Sequence, residues 1–424
     1  MNKFLGYRCS TCGTEYGPIE VTYTCPKDGG NLDVVLDLDT LRTRFQPSDI
    51  ASRSDASLWR YLPLLPVAEF PGHATPLHAA GGTPVFALRR IGEGLGVKQL
   101  WLKDESRNPT GSFKDRASAV VVARAREIQA DVIVTASTGN AGAALAGMAA
   151  AVGQKAIVLA PRTAPPAKVA QLLVFGATVV LVDGTYDDAF DLSLKAAQEF
   201  GWYCRNTGFN PFTAEGKKTA AFEIWEWWAT AHKEWHQEIG EAADHAPLTV
   251  FVSVGDGNII SGIHKGFKEL LQLGWIPRLP RLIGVQAAGS AAIVNAFLSK
   301  TEEIKPVVAK TLADSISVDL PRDGLRAVRA ATETGGAYVT VSDDEILRAV
   351  SDLGLSGVFA EPAGAAAYAG FLRALADGVV HRDDPMLVLN TGTGLKDTNA
   401  AMRAVGQAPV IEPTLRALKD ALKQ

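Results

Sequence analysis

Short apolar runs recur along the chain from about residue 83 onward, and amphipathic or alanine-rich segments separate most of them. The runs have the length of strands and are too short for buried helices. They lie at 99–103, 131–136, 155–160, 177–182, 248–254, 281–285 and 385–390. Because strands alternate with helix-length segments, the pattern predicts an α/β fold with parallel sheets covered by helices on both faces.

Three other segments carry different signals. Residues 341–354 (VSDDEILRAVSDLG) contain acidic residues near the start and end on glycine, which predicts a helix. Residues 302–321 show no regular period and are predicted to form a loop. Aromatic residues concentrate in 223–245, a segment interpreted as a packed helix followed by a solvated loop.

The length and charge of the chain limit the classes of function. Its 424 residues, 47% of them hydrophobic, exceed one average core and predict two domains with a small appendage. A net charge of −4 and a pI of about 6.0 give no basic field, so nucleic acid and anionic membranes are not expected partners. The first residues lack the apolar core of a signal peptide, and the most apolar tract, 143–160, is interrupted at 153–155. We therefore expect a soluble cytoplasmic protein.

Three of the four cysteines form a candidate metal site near the start of the chain. Cys9 and Cys12 make one Cys-x-x-Cys pair, and Cys25 begins a second whose last position is Asp28. Three thiolates and a carboxylate can hold a structural zinc ion; the alternative is a ribbon that folds without metal. Cys204 stands alone in an apolar strand pattern, which favours a buried structural thiol.

A lysine inside a polar turn is the first candidate for catalysis. Residues 108–111 (NPTG) have strong turn chemistry, and Ser112 is placed to cap the helix that follows. Lys114 then lies in the first helical turn, where the helix dipole disfavours its protonation. A lowered pKa is what an imine-forming lysine needs. The alternative is a solvated lysine paired with Asp115 or Glu105.

A second candidate follows the predicted strand 131–136. Ser137, Thr138 and Asn140 stand where an alanine-rich helix begins. Small hydroxyl groups and free N–H groups at a helix start bind anions, so a carboxylate fits this seat. Asn140 can also hydrogen-bond a phenolate oxygen. The alternative is an ordinary helix cap.

A glycine-rich turn after the predicted strand 248–254 is a candidate phosphate seat. Gly255, Gly257 and Gly262 let the backbone approach a phosphate closely. A dinucleotide-binding fold places an acidic residue about 20 positions later, and no acid stands at a strand end there. The turn therefore predicts a single phosphate rather than a pyrophosphate.

A last polar turn follows the final predicted strand. Thr391 and Thr393 alternate with glycines in residues 391–394. A threonine hydroxyl beside a pyridine nitrogen leaves the ring largely uncharged, whereas an aspartate would keep it protonated. Because ligands of parallel sheets bind beyond the carboxyl ends of the strands, these turns are expected to surround one site.

The four turns together supply what pyridoxal phosphate requires: an imine-forming lysine, a phosphate cradle, and partners for its phenolate and its pyridine nitrogen. The chain resembles the fold-type II pyridoxal-phosphate enzymes of the tryptophan synthase beta-like superfamily and, within them, the threonine synthase family. The resembling stretches are GGTP (81–84), KDESRNPTGSFKDR (103–116), ASTGNAG (136–142), NPFTAEGKKTAAFE (210–223), TGTGLKD (391–397) and the ribbon at 9–30.

The resemblance implies two α/β domains with parallel or mixed sheets, preceded by a short zinc-ribbon-like segment. The ribbon would take 1–35, a small substrate-seat domain 113–205, and a large cofactor-binding domain 36–112 plus 206–424. A homodimer is implied as well. Because the ribbon lies far from the cofactor motifs in sequence, we expect it to affect stability and to spare most of the turnover.

The resemblance also assigns roles to individual residues. Lys114 would be the catalytic residue that carries the cofactor as an imine, with Phe113 packed at the ring. The other cofactor-binding residues would be Asn140 at the phenolate, Thr391 at the pyridine nitrogen, and Gly255, Asp256, Gly257, Asn258 and Ile259 at the phosphate. The amino-acid substrate would be held by Ser137, Thr138, Asn140, Thr207 and Lys218. The implied reaction is that of a lyase in threonine biosynthesis, which converts O-phosphohomoserine and water to L-threonine and phosphate.

The chain departs from the family pattern where the substrate phosphate would bind. An arginine often follows the Asn-Pro pair in the family, whereas Phe212 and Thr213 follow it here. Lys217, Lys218 and Arg116 are candidates to replace that arginine. The departure leaves open β-replacement, as in cysteate synthase-like relatives, and elimination, as in serine/threonine dehydratases. A catalytically silent binding or assembly protein is a further alternative.

Overall fold

The computed structural model describes residues 3–68, 72–239 and 246–422. Its strands are β1 (Phe4–Cys9), β2 (Glu15–Tyr16), β3 (Leu32–Leu36), β4 (Val85–Ala87), β5 (Leu100–Asp104), β6 (Val132–Ala136), β7 (Lys155–Pro161), β8 (Thr178–Val182), β9 (Tyr203–Cys204), β10 (Thr249–Ser253), β11 (Arg281–Ala287), β12 (Ala337–Val341) and β13 (Met386–Asn390). Hydrogen bonds group them into three sheets with the orders β2-β1-β3, β12-β11-β10-β13-β5-β4 and β8-β7-β6-β9.

The helices surround the two larger sheets. They are α1 (Leu38–Arg44), α2 (Pro47–Ala51), α3 (Arg89–Leu95), α4 (Lys114–Glu127), α5 (Asn140–Ala150), α6 (Pro166–Val174), α7 (Tyr186–Phe200), α8 (Phe212–Ile239), α9 (Asn258–Gln272), α10 (Ala292–Leu298), α11 (Gly324–Glu333), α12 (Asp343–Gly354), α13 (Pro362–Ala376), α14 (Thr398–Val405) and α15 (Leu415–Ala421). Short 3₁₀ turns lie at Leu58–Leu64, Glu105–Arg107, Asp314–Ile316 and Gly394–Lys396.

The two larger sheets are built almost entirely of parallel strands, as the alternation of strands and helices predicts. In the six-stranded sheet, β4 alone runs antiparallel, at the edge beside β5. The four-stranded sheet, β6 to β9, is parallel throughout and is inserted in the chain between β5 and β10. The central strands β10 and β13 are buried along their whole length, as expected for strands covered on both faces.

The strand and helix predictions agree closely with the structure. All seven predicted strands are confirmed, with ends within two residues of the predicted ones. Helix α12 is confirmed, and a capping box between Ser342 and Glu345 fixes its start. Residues 302–321 are irregular apart from the turn Asp314–Ile316. The pattern missed β4 and β12, which are the two edge strands of the large sheet and need no continuous apolar run.

Helix α8 covers most of the aromatic-rich segment. Trp227 and Trp228 meet Trp101 nearly edge to face, with ring centroids 5.2 and 5.7 Å apart, so the packed helix is confirmed. The loop expected after this helix falls on 240–245, outside the described residues. Within the described ranges, no helix is both long enough and apolar enough to cross a membrane.

The N-terminal ribbon, which carries the sheet β2-β1-β3, packs on the body of the protein. The Asn31 amide donates to the Arg322 carbonyl at 2.8 Å and to Asp323 Oδ1 at 3.0 Å. The Tyr23 ring stacks on Phe209 with centroids 4.5 Å apart, and its hydroxyl accepts the Cys204 N–H at 2.8 Å. The ribbon therefore touches segments 204–209 and 322–323, although it is far from both in sequence.

Candidate active site

The turns that the sequence singled out surround one pocket. Its walls come from the segments that follow strands of both larger sheets, where parallel sheets bind their ligands. The predicted residues that line it are Phe113, Lys114, Asn140, Thr207, Gly255, Asp256, Gly257, Asn258, Ile259 and Thr391. The structure therefore brings together most of the residues that the sequence proposed.

Lys114 is the first residue of α4, and the turn before it is tied to the end of β13. The Phe113 N–H donates to the Thr391 carbonyl at 2.9 Å. The Ser112 hydroxyl accepts the Lys114 N–H at 3.4 Å. Burial, with the nearby charge of Arg205, lowers the pKa of Lys114 to about 8, although Asp256 and Glu361 oppose the shift.

Neither acidic partner considered for Lys114 pairs with it. Asp115 accepts hydrogen bonds from the Thr110 N–H at 2.6 Å and from its hydroxyl at 2.5 Å. Glu105 accepts two hydrogen bonds from Arg116, at 2.7 and 2.8 Å. Since both carboxylates have other partners, the lysine side chain is left facing the pocket, which it lines.

The glycine-rich turn before α9 has the backbone that the phosphate prediction requires. Gly257 has a φ of +91°, and a Cβ atom there would lie 2.7 Å from the Asp323 carbonyl oxygen. A side chain would therefore be strained and would collide with the backbone. The first N–H groups of α9 follow directly, on residues that line the pocket. The Ser253 hydroxyl lines the same pocket, is buried, and has no hydrogen-bond partner among the described residues.

Glu361 is a pocket residue that the sequence reasoning missed. It accepts hydrogen bonds from the Asn140 amide at 2.8 and 3.1 Å, so Asn140 is turned towards this carboxylate. Burial raises the pKa of Glu361. A Cβ at Gly392 would lie 2.5 Å from the same carboxylate. The available signal was an acid just before proline at the start of an alanine-rich, buried helix, α13.

The carboxylate seat predicted at the start of α5 is only partly assembled. Thr138 and Asn140 line a second, adjoining pocket, together with Lys168 and Lys396. Ser137 lines neither pocket. Its carbonyl packs against Gly142, where a Cβ would come within 1.9 Å of the oxygen. Thr138 and Asn140 thus remain candidates for direct contact with substrate, and Ser137 does not.

Lys218 does not reach the pocket, contrary to the expectation that it binds substrate. Its ammonium group is fully buried between Glu215 and Glu269, at 2.5 and 2.8 Å. Adjacent residues of a helix point about 100° apart, so Lys217 and Lys218 cannot both face the cleft. Lys217 lies on the side of α8 that faces the pocket, and it donates to Asn258, which lines the pocket.

Arg116 also cannot serve as a free cation. It is fully buried, and its guanidinium is held by Glu105 and Glu223, with N–O distances of 2.6 to 2.8 Å. Lys103 completes the cluster with a 2.7 Å contact to Glu223. These charges join β5, the turn after it, α4 and α8, so Arg116 has a structural role.

Replacing Arg116 with methionine should lower the free energy of unfolding by about 3–5 kcal/mol, because two buried carboxylates would face each other with one lysine left to balance them. Urea unfolding measures this loss. Arg107→Met is the matched control: Arg107 contacts Asp104 at 3.1 Å but is 60% exposed, and its loss should cost less than about 1 kcal/mol. Equal losses for the two variants would contradict the structural role of Arg116.

The metal-ligand prediction falls on four side chains that the fold brings together. The ligand atoms of Cys9, Cys12, Cys25 and Asp28 all lie within 4.8 Å of one another. The Cys12 and Cys25 sulfurs are 3.7 Å apart, close to the separation of two thiolates on one tetrahedral zinc ion. All four cysteines are free thiols, and Cys204 is fully buried in β9, as predicted. The donor set and its spacing therefore fit zinc.

The sequence is similar to those of known pyridoxal-phosphate enzymes. The family model described as pyridoxal-phosphate dependent enzyme matches residues 77–392. A threonine synthase from Methanocaldococcus jannaschii is 38% identical over 420 residues, which is 98% of this chain and 99% of that protein. A threonine synthase from Methanosarcina acetivorans is 35% identical over 418 residues, 98% of each chain.

Solved structures share the fold at lower identity. Diaminopropionate ammonia lyase from Escherichia coli has a TM-score of 0.63 and 20% identity, over 80% of this chain and 94% of that one. A threonine deaminase from Solanum lycopersicum has a TM-score of 0.63 and 22% identity, over 81% and 97%. The pocket at the strand ends is where such enzymes of parallel sheets bind their ligands, and the similarity to threonine synthases covers 98% of the chain. The chain therefore belongs to the pyridoxal-phosphate dependent enzymes, within their threonine synthase family.

Proposed function

We propose that this chain converts O-phosphohomoserine and water to L-threonine and phosphate, as a pyridoxal-phosphate dependent lyase. The observation that carries the proposal is a lysine with a lowered pKa that faces the first turn of α9 across one pocket. Similarity to threonine synthases along almost the full length supports the choice of reaction.

The residues present fit pyridoxal phosphate. Lys114 would hold it covalently, Phe113 would pack at its ring, and the turn from Gly255 to Ile259 would hold its phosphate. The Ser253 hydroxyl, buried and without a partner among the described residues, is a further donor on this wall. Thr391 would meet the pyridine nitrogen and Asn140 the phenolate. When bound, the cofactor supplies an electron sink for the negative charge left by proton removal beside the substrate amino group.

The chain's own groups would bind the substrate and move its protons. Thr138 and the first backbone N–H groups of α5, that of Asn140 among them, would seat the carboxylate, which leaves the Asn140 side-chain amide to Glu361 and the phenolate. The amine of Lys114 would be freed when the substrate amino group takes its place, and its Nζ would then take the α-proton and return a proton later, since the lowered pKa keeps part of the free amine neutral near pH 7. Glu361, whose pKa burial raises, would hold Asn140 in place through the two hydrogen bonds described above.

Product analysis tests the proposed reaction directly. The purified protein would be offered O-phosphohomoserine, O-phosphoserine, serine and threonine separately, with amino acids, phosphate and ketoacids measured. We expect threonine and phosphate in equal amounts from O-phosphohomoserine alone. Ketoacid from serine or threonine would identify a dehydratase, and a substituted product from O-phosphoserine plus a nucleophile would identify β-replacement. Colourless protein with no turnover would support a silent binding protein.

Capture of pyridoxal phosphate by the apoprotein should become faster as the pH rises through about 8 and should level off above it. Only the neutral amine attacks an aldehyde, and the lowered pKa of Lys114 places its deprotonation there. Stopped-flow absorbance measures the rate, with an exposed model lysine peptide as the control. A rate that still climbs steeply beyond pH 10, as an ordinary lysine gives, would contradict the lowered pKa.

We further propose that the protein is a cytoplasmic homodimer with the domains 1–35, 36–112 plus 206–424, and 113–205, and that its ribbon holds structural zinc. The cytoplasmic location follows from the biosynthetic activity of the similar threonine synthases, and the Cys9 to Asp28 cluster supports the metal. The dimer follows from the family resemblance. Sedimentation velocity tests the oligomeric state, and limited proteolysis between the domains tests their boundaries.

A further inference from the structure

Two buried cations beside the pocket have no carboxylate partner among the described residues. Arg205 is fully buried; its Nη1 donates to Thr207 Oγ1 at 2.7 Å and its Nε to Ser118 Oγ at 3.2 Å. Its Nη2 is buried and has no hydrogen-bond partner in the described part of the chain. Lys217 is equally buried and donates to Asn258 Oδ1. Burial lowers the pKa of both groups.

The other buried cations near this site have carboxylate partners. Lys103, Arg116 and Lys218 each contact at least one glutamate at 2.8 Å or less. A buried charge without a counter-charge costs several kcal/mol, so Arg205 and Lys217 are costly unless an anion binds near them. Two acids act on Lys217: Asp323, which is itself held by Arg326 at 2.6 Å, and Asp256 in the pocket wall, whose pKa burial raises. Asp256 is shared by Arg205, Lys217 and Lys114.

Both cations act on the pocket through one intervening side chain. Because the Thr207 hydroxyl accepts from Arg205, its own hydrogen is free to be donated into the pocket that Thr207 lines. Asn258 accepts from Lys217 and donates one amide hydrogen to Asp323 at 2.7 Å, which leaves its second amide hydrogen. The charges therefore orient two donors on one wall and add positive potential behind them.

We propose that Arg205 and Lys217 are positioning residues that make this wall, through the Thr207 hydroxyl and the Asn258 side-chain amide, the seat of the phosphate group of the substrate, while the backbone N–H groups of the turn 255–259 are left to the cofactor phosphate. The inference rests on the proposed function and adds the residues that would recognise the phosphate monoester of the amino acid. The Thr213 hydroxyl also lies 3.3 Å from Asn258 Oδ1, one helical turn before Lys217 on α8. A cationic side chain at position 213 or at position 217 could therefore donate to the Asn258 side-chain oxygen.

Binding to the holoenzyme tests the proposal without turnover. The probes are the phosphonate analogue of O-phosphohomoserine, in which a methylene replaces the ester oxygen, and norvaline, which has the same carbon chain and no phosphorus. Both are followed by the change in cofactor absorbance. Arg205→Met, Lys217→Met and Thr207→Val should each weaken phosphonate binding roughly 10- to 100-fold, as expected for losing one hydrogen bond at a charged site. Norvaline binding should change less than about 3-fold.

Conservative and compensating variants separate positioning from folding. Arg205→Lys should regain part of the lost affinity, and Thr213→Arg should restore phosphonate binding in Lys217→Met, because both positions reach Asn258. Equal losses for phosphonate and norvaline would overturn the proposal. Loss of affinity for pyridoxal phosphate, with phosphonate binding of the reconstituted enzyme unchanged, would also overturn it, since the charges would then serve the cofactor. If Arg205→Met fails to fold, Thr207→Val and Arg205→Lys decide the same question.

The wild-type protein separates this proposal from the proposed function. Absence of threonine formation from O-phosphohomoserine would overturn the function, while tight phosphonate binding that Arg205→Met weakens would still support the seat. Wild-type protein that makes threonine but binds the phosphonate no better than norvaline would overturn the seat alone.

Discussion

Lys114→Ala should stop turnover and remove the covalently held cofactor. No other lysine lining this pocket stands at the start of a helix with its pKa lowered to about 8 and a phosphate seat opposite. Loss of both the covalent attachment and the proton carrier should reduce the rate by at least ~10³-fold. The measurements are threonine formation, the absorbance of the bound cofactor, and mass spectrometry after borohydride reduction, which should fix the cofactor on the peptide that contains Lys114 in the wild-type protein.

Two controls make this result specific. Lys195→Ala removes an exposed lysine of α7 and should leave turnover unchanged. A small primary amine added to Lys114→Ala should restore part of the rate, because it can replace the missing base but not the missing attachment. Borohydride-sensitive absorbance in Lys114→Ala, mapped to another lysine, would transfer the role away from Lys114.

The pocket residues could be found from sequence because each follows a strand and carries its own local signal. Lys114 comes after turn-forming residues, and Gly257 needs a backbone that only glycine adopts easily. Parallel sheets gather such turns at one edge, so strand prediction alone places them together. The same local reasoning predicted seven strands, the four central strands of the large sheet among them, and missed its edge strands β4 and β12.

The remaining features depend on distances that no local pattern encodes. Choosing Lys217 rather than Lys218 for the cleft requires the rotational phase of α8, and an error of one residue turns a side chain by about 100°. In the sequence, Arg205 is simply a polar residue that follows an apolar strand. Only the fold shows that its guanidinium has no carboxylate partner in the described residues. Glu361 is separated from Asn140 by more than two hundred residues, yet it holds that amide.

The position of the ribbon on the body of the protein also could not be predicted from sequence, and this position determines which property the loss of the ribbon should affect. Asn31 contacts Asp323, which in turn accepts from Asn258 in the pocket wall. Tyr23 stacks on Phe209, two residues beyond Thr207. None of these contacts involves Lys114. The ribbon therefore supports the wall proposed to hold the substrate phosphate rather than the lysine that would do the chemistry.

Replacing both Cys9 and Cys12 with serine should release the metal and strongly destabilise the protein. Structural zinc sites bind with about 10–16 kcal/mol in isolated peptides, and much of that becomes folding free energy of the ribbon, so a loss of several kcal/mol is expected in thermal or urea unfolding. Cys204→Ala, which removes a buried thiol outside the cluster, is the control and should cost far less. In the protein that remains folded, kcat should stay within a few-fold and KM should rise, because the ribbon contacts reach Asn258 and not Lys114. Elemental analysis without zinc in protein grown with ample zinc would refute the metal site, and a collapse of kcat with cofactor and fold intact would refute its structural role.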